Sequence, residues 1–131
     1  DADIANSGKI VLAADTLFDL NSAKVKPEGV KMLNELVARM SGLNVDVVMA
    51  TGYTDVTGPA SFNQTLSERR AAAVKSYMVA QGVPADKIQT EGKASADPVV
   101  ICEDTGSKAD LVACLAPNRR AVVEVVGTRA P

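Results

Sequence analysis

An arginine lies on the apolar side of a helix that the sequence predicts over residues 61–81. On a helical wheel of about 100° per residue, Arg70 falls in the middle of the arc that Leu66 and Val74 occupy. A guanidinium in such a position is costly unless it is ion-paired or hydrogen-bonded. Asp55, in the loop before the helix, is the obvious partner, either directly or through an anion held between the two side chains.

Asp55 and Arg70 carry the charges needed to bind a small zwitterion. Asp55 follows a predicted strand, and ligands of α/β sheets usually bind in the loops after strands. A carboxylate there can accept an ammonium group, while a guanidinium binds a carboxylate through two hydrogen bonds. The alternative is a structural Asp55–Arg70 salt bridge that orders the loop, with Thr57 and Asn63 as turn and helix-capping residues. Spacing alone favours this salt bridge.

The composition predicts one domain with an aliphatic core. The chain has 131 residues, of which 47% are hydrophobic and 3% are aromatic. Its net charge of -2 lacks the basic excess expected of a protein that binds nucleic acid. No apolar run is long enough to span a bilayer, so we expect no direct membrane insertion. The N-terminus is polar and resembles no secretion signal, so we expect an exported form to have lost its targeting segment.

Catalytic and metal-binding motifs are missing from the sequence. The chain has no histidine, the commonest general base and metal ligand. It contains no glycine-rich phosphate-binding motif and no serine nucleophile elbow. The carboxylates of Asp15, Asp19 and Asp46 show no motif spacing, and solvated or capping roles are expected for most of them. We therefore predict a protein that is not an enzyme and has neither a cofactor nor a metal site.

Two cysteines, Cys102 and Cys114, lie twelve positions apart in an irregular segment. This spacing is too wide for CxxC redox chemistry, and without histidine a zinc site would need other ligands. We favour a disulfide that closes a short loop, which would place the protein in an oxidising compartment. Two free thiols are the alternative.

Hydrophobic periodicity predicts an α/β fold of the two-layer, α+β sandwich type. Its main elements follow the order β-α-β-α-β-β, with two main helices packed on one face of a mixed sheet. The last strand has no full crossover helix before it, so an antiparallel place is expected for it. The predicted strands cover residues 9–13, 45–51, 87–91 and 120–126, the helices cover 27–40 and 61–81, and a short helix lies near 110–115. We assign residues 1–8 to a linker remnant, 9–127 to the domain and 128–131 to a tail.

The second main helix contains a specific sequence pattern. The spacing N-x2-L-S-x2-R-A-x2-V-x3-L is matched, with methionine in the last apolar place, by Asn63, Leu66, Ser67, Arg70, Ala71, Val74 and Met78. Shorter matches flank it at residues 17–23, 51–55 and 118–120. In this order, the segments resemble the OmpA-like peptidoglycan-binding domain over nearly the whole chain. The cysteine-bearing segment is most similar to that of OmpA-type outer-membrane proteins.

The resemblance implies a non-catalytic domain in the periplasm of a Gram-negative bacterium, attached to an outer-membrane region that precedes it. Such domains bind the diaminopimelate of the peptidoglycan stem peptide and tether the outer membrane to the cell wall. By position, Asp55 would bind the ammonium group of diaminopimelate and Arg70 its carboxylate. The other positions matched to the pocket are Asn21, Thr57, Asn63 and Arg119.

Two points stay open at this level. Only one of Arg119 and Arg120 can face the site if the last strand alternates its faces. The other function considered is a structural or protein-interaction domain, in which the Asp55–Arg70 pair only stabilises the fold. Peptidoglycan is the partner that the resemblance implies, no nucleic-acid partner is expected, and a homodimer is left open.

Overall fold

The structure of the protein is a computed structural model that describes residues 7–19, 22–40, 43–103 and 106–129. Its framework consists of strands and two long helices in the order that the sequence predicts. The elements are β1 (Ser7–Ala13), α1 (Ala14–Leu17), α2 (Pro27–Arg39), β2 (Leu43–Tyr53), α3 (Ala60–Ala80), a 3-10 turn (Ala85–Lys87), β3 (Ile88–Gly92), α4 (Lys108–Cys114), a second 3-10 turn (Ala116–Asn118) and β4 (Arg120–Arg129).

The strands form one mixed sheet in the order β1-β4-β2-β3. β4 lies antiparallel between β1 and β2, whereas β3 pairs in parallel with β2. The antiparallel place expected for the last strand is therefore confirmed. The register sets Arg120 opposite both Ala13 and Tyr53, so the end of β1, the end of β2 and the start of β4 meet at one end of the sheet.

The two long helices share one hydrophobic core with one face of the sheet, which confirms the predicted two-layer arrangement. Along β4, Val123 and Val125 are fully buried in this core while Glu124 between them is exposed, as expected of a strand with one covered face. Pro27 begins α2 at the position where a missing N–H costs nothing. The largest core side chains are those of Leu17, Phe18, Leu33, Val48, Val74, Met78, Val123 and Val125.

Two glycines allow α3 to approach β2 and β3 closely. A Cβ atom on Gly52 would lie 2.3 Å from the carbonyl oxygen of Ser67, and one on Gly92 would lie 2.4 Å from the backbone nitrogen of Glu68. Ser67 Oγ also accepts a hydrogen bond from the backbone N–H of Ala94 at 3.1 Å. These contacts leave little freedom in where α3 sits on the sheet, and so they fix the side chains that its first turns present.

The irregular segment between β3 and β4 is held by a disulfide and by a buried asparagine. Cys102 and Cys114 are bonded, with their Cα atoms 6.1 Å apart, so the disulfide that we favoured over free thiols is confirmed. Asn118 Oδ1 accepts hydrogen bonds from the N–H groups of Val99 and Val100 at 2.7 and 2.9 Å. Its Nδ2 donates to the carbonyl of Val100 at 2.9 Å. The Asn118 side chain thus makes backbone hydrogen bonds of the kind that a neighbouring strand would otherwise supply.

Some element boundaries differ from the prediction. Residues 14–17 form the short helix α1, which lies outside the predicted elements. β1 begins at Ser7 and β4 runs to Arg129, because neighbouring strands supply backbone partners beyond the apolar stretches. α4 begins earlier than predicted because Ser107 caps it by accepting a hydrogen bond from the N–H of Asp110.

Candidate functional site

A cavity of about 410 Å³ opens where β2 ends, α3 begins and α4 approaches them. Its lining includes every predicted site residue that the structure describes, namely Asp55, Thr57, Asn63, Arg70 and Arg119. Asn21, the remaining predicted residue, lies outside the described residues. The fold therefore brings together side chains that are up to 64 residues apart in the chain.

Asp55 is a buried carboxylate, 6% exposed, in the loop after β2. Its Oδ1 atom accepts hydrogen bonds from the backbone N–H of Thr57 at 2.9 Å and from the Thr57 hydroxyl. Its Oδ2 atom accepts a hydrogen bond from Nη1 of Arg119 at 2.7 Å. A carboxylate has about four acceptor positions, so these contacts leave roughly one position for a ligand.

The surroundings of Asp55 keep its carboxylate ionised. Burial by itself would raise the pKa of Asp55, but the hydrogen bonds from Thr57 and Arg119 outweigh burial, and the pKa lies below its usual range. At neutral pH the cavity therefore presents a buried negative charge. Such a charge can receive a ligand cation without a change of protonation state.

Arg70 is buried in α3, 5% exposed, and lines the same cavity. Its Nε atom donates to the carbonyl of Ser22 at 2.9 Å, and its Nη2 atom donates to the carbonyl of Asp19 at 3.1 Å. The guanidinium carbon lies 5.0 Å from the centre of the Phe18 ring, a cation–π distance. The Nη1 group has no hydrogen-bond partner among the residues that the structure describes.

The predicted salt bridge between Asp55 and Arg70 is wrong. The cationic partner of Asp55 is Arg119, whereas Arg70 is bonded to two neutral main-chain carbonyls. These two carbonyls lie between α1 and α2, 48 and 51 residues before Arg70 in the chain. Helical spacing cannot reveal such partners, because they depend on the path of a distant segment.

The charges around Arg70 favour the entry of an anion. Burial lowers the pKa of the Arg70 guanidinium from its usual high value, Asp15 raises it, and the positive charge of Arg119 lowers it again. A ligand carboxylate beside Arg70 would offset both the burial and the repulsion between the two arginines. The cavity thus has one end that suits a carboxylate and another, at Asp55, that suits an ammonium group.

Arg119 connects the two carboxylates of the cavity. Its Nε and Nη2 atoms bind Asp15 at 3.2 and 3.1 Å, and its Nη1 atom binds Asp55 at 2.7 Å and the carbonyl of Val112 at 3.1 Å. Burial would lower the pKa of Arg119, but the hydrogen bonds to Asp15 and Asp55 raise it above its usual value. Arg119 is therefore a permanent cation in the site.

Arg120 points away from the cavity, which decides between the two neighbouring arginines. Its guanidinium carbon lies 3.7 Å from the centre of the Tyr53 ring. Its Nη atoms donate to the carbonyls of Asn118 and Asp97 at 3.2 and 2.9 Å. Because neighbouring side chains at the start of β4 lie on opposite sides, only Arg119 reaches the site.

Thr57 and Asn63 hold the loop that carries Asp55. Thr57 closes a turn through its two hydrogen bonds to the Asp55 carboxylate, as predicted for a turn residue. Asn63 Nδ2 donates to the carbonyl of Thr57 at 2.8 Å and makes a long contact of 3.5 Å with the carbonyl of Asp55. Asn63 does not cap α3, whose N-cap position is Pro59 and has no side-chain cap. The side chain instead ties the first turns of α3 to the loop.

The cavity lining also includes residues that the sequence did not assign to it, among them Asp15, Phe62, Lys108 and Val112. The sequence indicates no role in the site for Asp15, because no local pattern links it to Arg119, 104 residues later. Lys108 and Val112 belong to α4. The sequence of that segment has no hydrophobic periodicity that would show where it lies in the fold. Phe62 offered the clearest sequence signal, since it is a large apolar residue directly before Asn63, and the structure leaves it 45% exposed.

Other site types find little support in the described part of the chain. No three acidic or cysteine side chains there come close enough together to hold a metal ion. None of the described helices combines the length and apolarity needed to cross a bilayer. A cavity of about 500 Å³ at the opposite end of β2 and α3 has Asp46 and Lys87 as its charged residues, but Lys87 is bonded to the carbonyl of Val45 at 2.7 Å. That cavity therefore lacks a buried pair of opposite charges like Asp55 and Arg119 in the candidate site.

Comparison with protein families matches residues 17–111 to the OmpA family. Outer membrane protein A of Escherichia coli O157:H7 is 42% identical over 122 residues, which cover 90% of this chain and 35% of that protein. Outer membrane protein A of Yersinia pseudotuberculosis is 39% identical over 130 residues, which cover 96% of this chain and 37% of that protein. The chain therefore spans roughly a third of the length of these relatives.

Solved structures with the same fold include the cell wall anchor of the T6SS from Pseudomonas aeruginosa. It matches with a TM-score of 0.76 at 25% identity, covering 93% of this chain and 82% of that chain. The peptidoglycan-associated lipoprotein from Burkholderia pseudomallei matches with a TM-score of 0.61 at 22% identity, covering 90% and 89% of the two chains. The lower identity of the second structure limits its support to the fold.

Proposed function

This chain belongs to the OmpA family, and we propose that it binds peptidoglycan non-covalently through the diaminopimelate of the stem peptide. In this proposal the domain lies in the periplasm and tethers an outer-membrane protein to the cell wall. The structural match to a cell wall anchor and the sequence match to outer membrane protein A support both parts. The activity is binding without chemical conversion, in agreement with the family.

The observation that carries the proposal is a buried arginine held by neutral groups at the wall of a cavity. Arg70 is fixed by the carbonyls of Ser22 and Asp19, and its Nη1 group has no partner among the described residues. A buried cation of this kind is stabilised when a carboxylate enters the cavity and accepts its remaining hydrogen bonds. Each end of diaminopimelate offers such a carboxylate next to an ammonium group.

Asp55 supplies the complementary charge for that ammonium group. Its carboxylate is ionised and buried, and about one of its acceptor positions is unfilled by the described contacts. Thr57 and Asn63 keep the loop in place, so the ligand meets a preorganised site rather than ordering one. In the proposal Arg119 borders the bound ligand, and Asn21, which lies outside the described residues, is a further ligand-binding residue implied by the family resemblance.

The direction of β1 supports a tethering role. Ser7 pairs with Val126 at one end of the sheet, whereas Ala13 lies opposite Arg120 at the end that carries the cavity. A membrane-attached region joined before β1 would therefore enter the domain on the side away from the cavity. The cavity would remain accessible to the cell wall.

The test is co-sedimentation with purified, insoluble peptidoglycan. We expect that Asp55→Ala and Arg70→Ala each abolish binding, because each removes one charge that a zwitterion needs. Arg69→Ala is the matched control, since Arg69 is the exposed neighbour of Arg70 on the same helix. Circular dichroism on every variant separates a lost site from a lost fold.

Three outcomes would contradict the proposal in different ways. Failure of the wild-type protein to bind peptidoglycan would contradict the function itself. Binding that survives both Asp55→Ala and Arg70→Ala would leave the function but contradict the assigned site. Loss of binding in Arg69→Ala would indicate a nonspecific attraction between charges and not recognition within the cavity.

A further inference from the structure

Building on the proposed function, we infer that Asp15 is a positioning residue of the site, because it holds Arg119 and so keeps Asp55 available to the ligand ammonium group. Asp15 and Asp55 are the two carboxylates among the described residues that line the cavity. Arg119 lies between them and is ion-paired to both. The number of Arg119 hydrogen bonds that each carboxylate accepts therefore determines how many acceptor positions of Asp55 remain for a ligand.

Arg119 divides its donors unequally between the two carboxylates. Its Nε and Nη2 atoms bind the two oxygens of Asp15 in a fork, at 3.2 and 3.1 Å. Only Nη1 reaches Asp55, and the same atom also donates to the carbonyl of Val112. All three guanidinium nitrogens are thus engaged, and this fixes the orientation of the side chain.

The acceptor positions of Asp55 show why this division matters. Thr57 fills two positions at Oδ1, and Arg119 fills one at Oδ2. With about four positions on a carboxylate, roughly one remains for an ammonium group. If Asp15 were neutral, Asp55 would be the only anionic acceptor among the described lining residues for the Nε and Nη2 donors. A second hydrogen bond from Arg119 would then fill the position that the ligand needs.

Hydrogen bonds to the backbone of residues 14 and 15 position Asp15 beside Arg119. The N–H of Ala14 donates to the carbonyl of Arg119 at 2.9 Å, which extends the β1–β4 pairing past Ala13 and Arg120. The carbonyl of Asp15 in turn accepts a hydrogen bond from Nζ of Lys26 at 3.1 Å. Two contacts on either side of the carboxylate thus place it beside the guanidinium.

The exposure of Asp15 allows positioning to be separated from stability. Its side chain is 62% exposed, whereas that of Arg119 is 14% exposed. Ion pairs with one exposed partner contribute little to folding stability. Neutralising Asp15 should therefore leave the domain folded, while it changes how the hydrogen-bond donors of Arg119 are divided between Asp15 and Asp55.

The test compares two ligands that differ only in their amino groups. Diaminopimelate and pimelate, the same dicarboxylate without amino groups, are titrated into the protein and followed by NMR chemical shifts. We expect that Asp15→Asn weakens diaminopimelate binding about tenfold, the effect of one lost charge-assisted contact, while pimelate binding is unchanged. Asp15→Glu should restore most of the diaminopimelate affinity. Asp46→Asn is the matched control, because Asp46 is an exposed carboxylate at the other end of β2 and does not line this cavity.

A second measurement needs no ligand. The pKa of Asp55, followed by NMR of its carboxyl carbon, should fall when Asp15→Asn turns more of Arg119 towards Asp55. In an Arg119→Gln background the same substitution should change the pKa of Asp55 much less. A direct effect of the Asp15 charge on Asp55 would instead persist in both backgrounds.

The outcomes distinguish this inference from the proposed function. Unchanged affinity in Asp15→Asn, or an equal loss for both ligands, would overturn the inference while the proposed function stands. Wild-type protein that fails to bind diaminopimelate would overturn the proposed function. The pKa measurements in the two backgrounds would then still decide whether Asp15 controls how many acceptor positions of Asp55 are occupied by Arg119.

Discussion

Two arginines line one cavity of this domain, and the fold stabilises them by different means. Arg119 is neutralised by Asp15 and Asp55, so its charge is compensated within the protein. Among the described residues, the direct partners of Arg70 are two carbonyls and the Phe18 ring, so it forms no ion pair there. In the proposed function, this difference favours Arg70 as the partner of the ligand carboxylate. It also explains why lysine would be a poor replacement there, since a single ammonium cannot reach both carbonyls in the geometry of a guanidinium fork.

The pKa of Asp55 predicts how stability depends on pH. Because the folded state holds this pKa below its unfolded value of about 3.9, ionised Asp55 stabilises the fold above that value, and the contribution is lost as the pH falls through the folded pKa. We expect the difference in unfolding free energy between wild type and Asp55→Asn to be largest near neutral pH and to shrink steadily below about pH 4. Urea unfolding at a series of pH values measures it.

A matched control for this experiment is Asp46→Asn, which neutralises an exposed carboxylate at the other end of β2. That variant should follow the wild-type pH dependence closely. A difference between wild type and Asp55→Asn that stays constant from neutral to acid pH would show that Asp55 does not titrate with a lowered pKa.

At the scale of single elements, α3 combines packing, loop and site functions on one face. The helical wheel placed Arg70 on the apolar side, and the structure confirms that Asn63, Ser67, Arg70 and Val74 are all buried. Ser67 serves the close contact with the sheet, Asn63 holds the preceding loop, and Arg70 lines the cavity. Periodicity could predict that these residues are buried, because burial depends on local geometry. It could not predict their partners.

Asn118 is expected to be the residue that holds the segment between β3 and β4. Asn118→Ala would leave the N–H groups of Val99 and Val100 and the carbonyl of Val100 without their side-chain partner. We expect a loss of about 1–3 kcal/mol in unfolding free energy, typical of buried polar groups left unsatisfied. Hydrogen exchange at Val99 and Val100 should become faster, and amide exchange measured by NMR provides the check.

The control for Asn118→Ala is Asn44→Ala, an exposed asparagine in β2. This variant should change neither the unfolding free energy nor the exchange of the two valine amides appreciably. Unchanged protection of Val99 and Val100 in Asn118→Ala would mean that other contacts hold the segment.

At the scale of the whole molecule, the cavity is assembled from elements that are far apart in sequence. α1 contributes Asp15, the loop after β2 contributes Asp55, α3 contributes Arg70, and the turn before β4 contributes Arg119. The antiparallel register of β4 between β1 and β2 brings the first and the last of these segments next to each other. The site therefore depends on the pairing of β1, β4 and β2.

The disulfide is expected to stabilise the fold without holding Asp55 and Arg70, the two charged residues proposed to bind the ligand. Replacing both cysteines in Cys102→Ser/Cys114→Ser removes a crosslink that closes a short loop, and chain entropy predicts a loss of about 3 kcal/mol in unfolding free energy. Asp55 and Arg70 are held by contacts outside this loop. We therefore expect peptidoglycan binding to persist in the variant at temperatures where it is folded. Urea unfolding and co-sedimentation measure the two effects.

Ala113→Ser, an exposed substitution in α4, is the control for placing a serine in this helix. Wild-type protein recovered from an oxidising compartment should contain no titratable thiol after denaturation. Two titratable thiols, or loss of binding in the folded double variant, would show that the disulfide has a different role from the one expected here.

The sequence by itself determined the order of the main elements, the two-layer fold, the burial of Arg70 and the family pattern around it. Each of these follows from local periodicity or from residues at short, constant spacings, which do not depend on how distant segments meet. The tertiary structure alone decided that Arg70 bonds to the carbonyls of Ser22 and Asp19, that Asp55 pairs with Arg119, and that Arg120 faces away. Those choices depend on strand register and on the path of loops over the core, so they arise from contacts summed over the whole chain. The role of Asp15 belongs to the same class, because only the pairing of β1 with β4 places it beside Arg119.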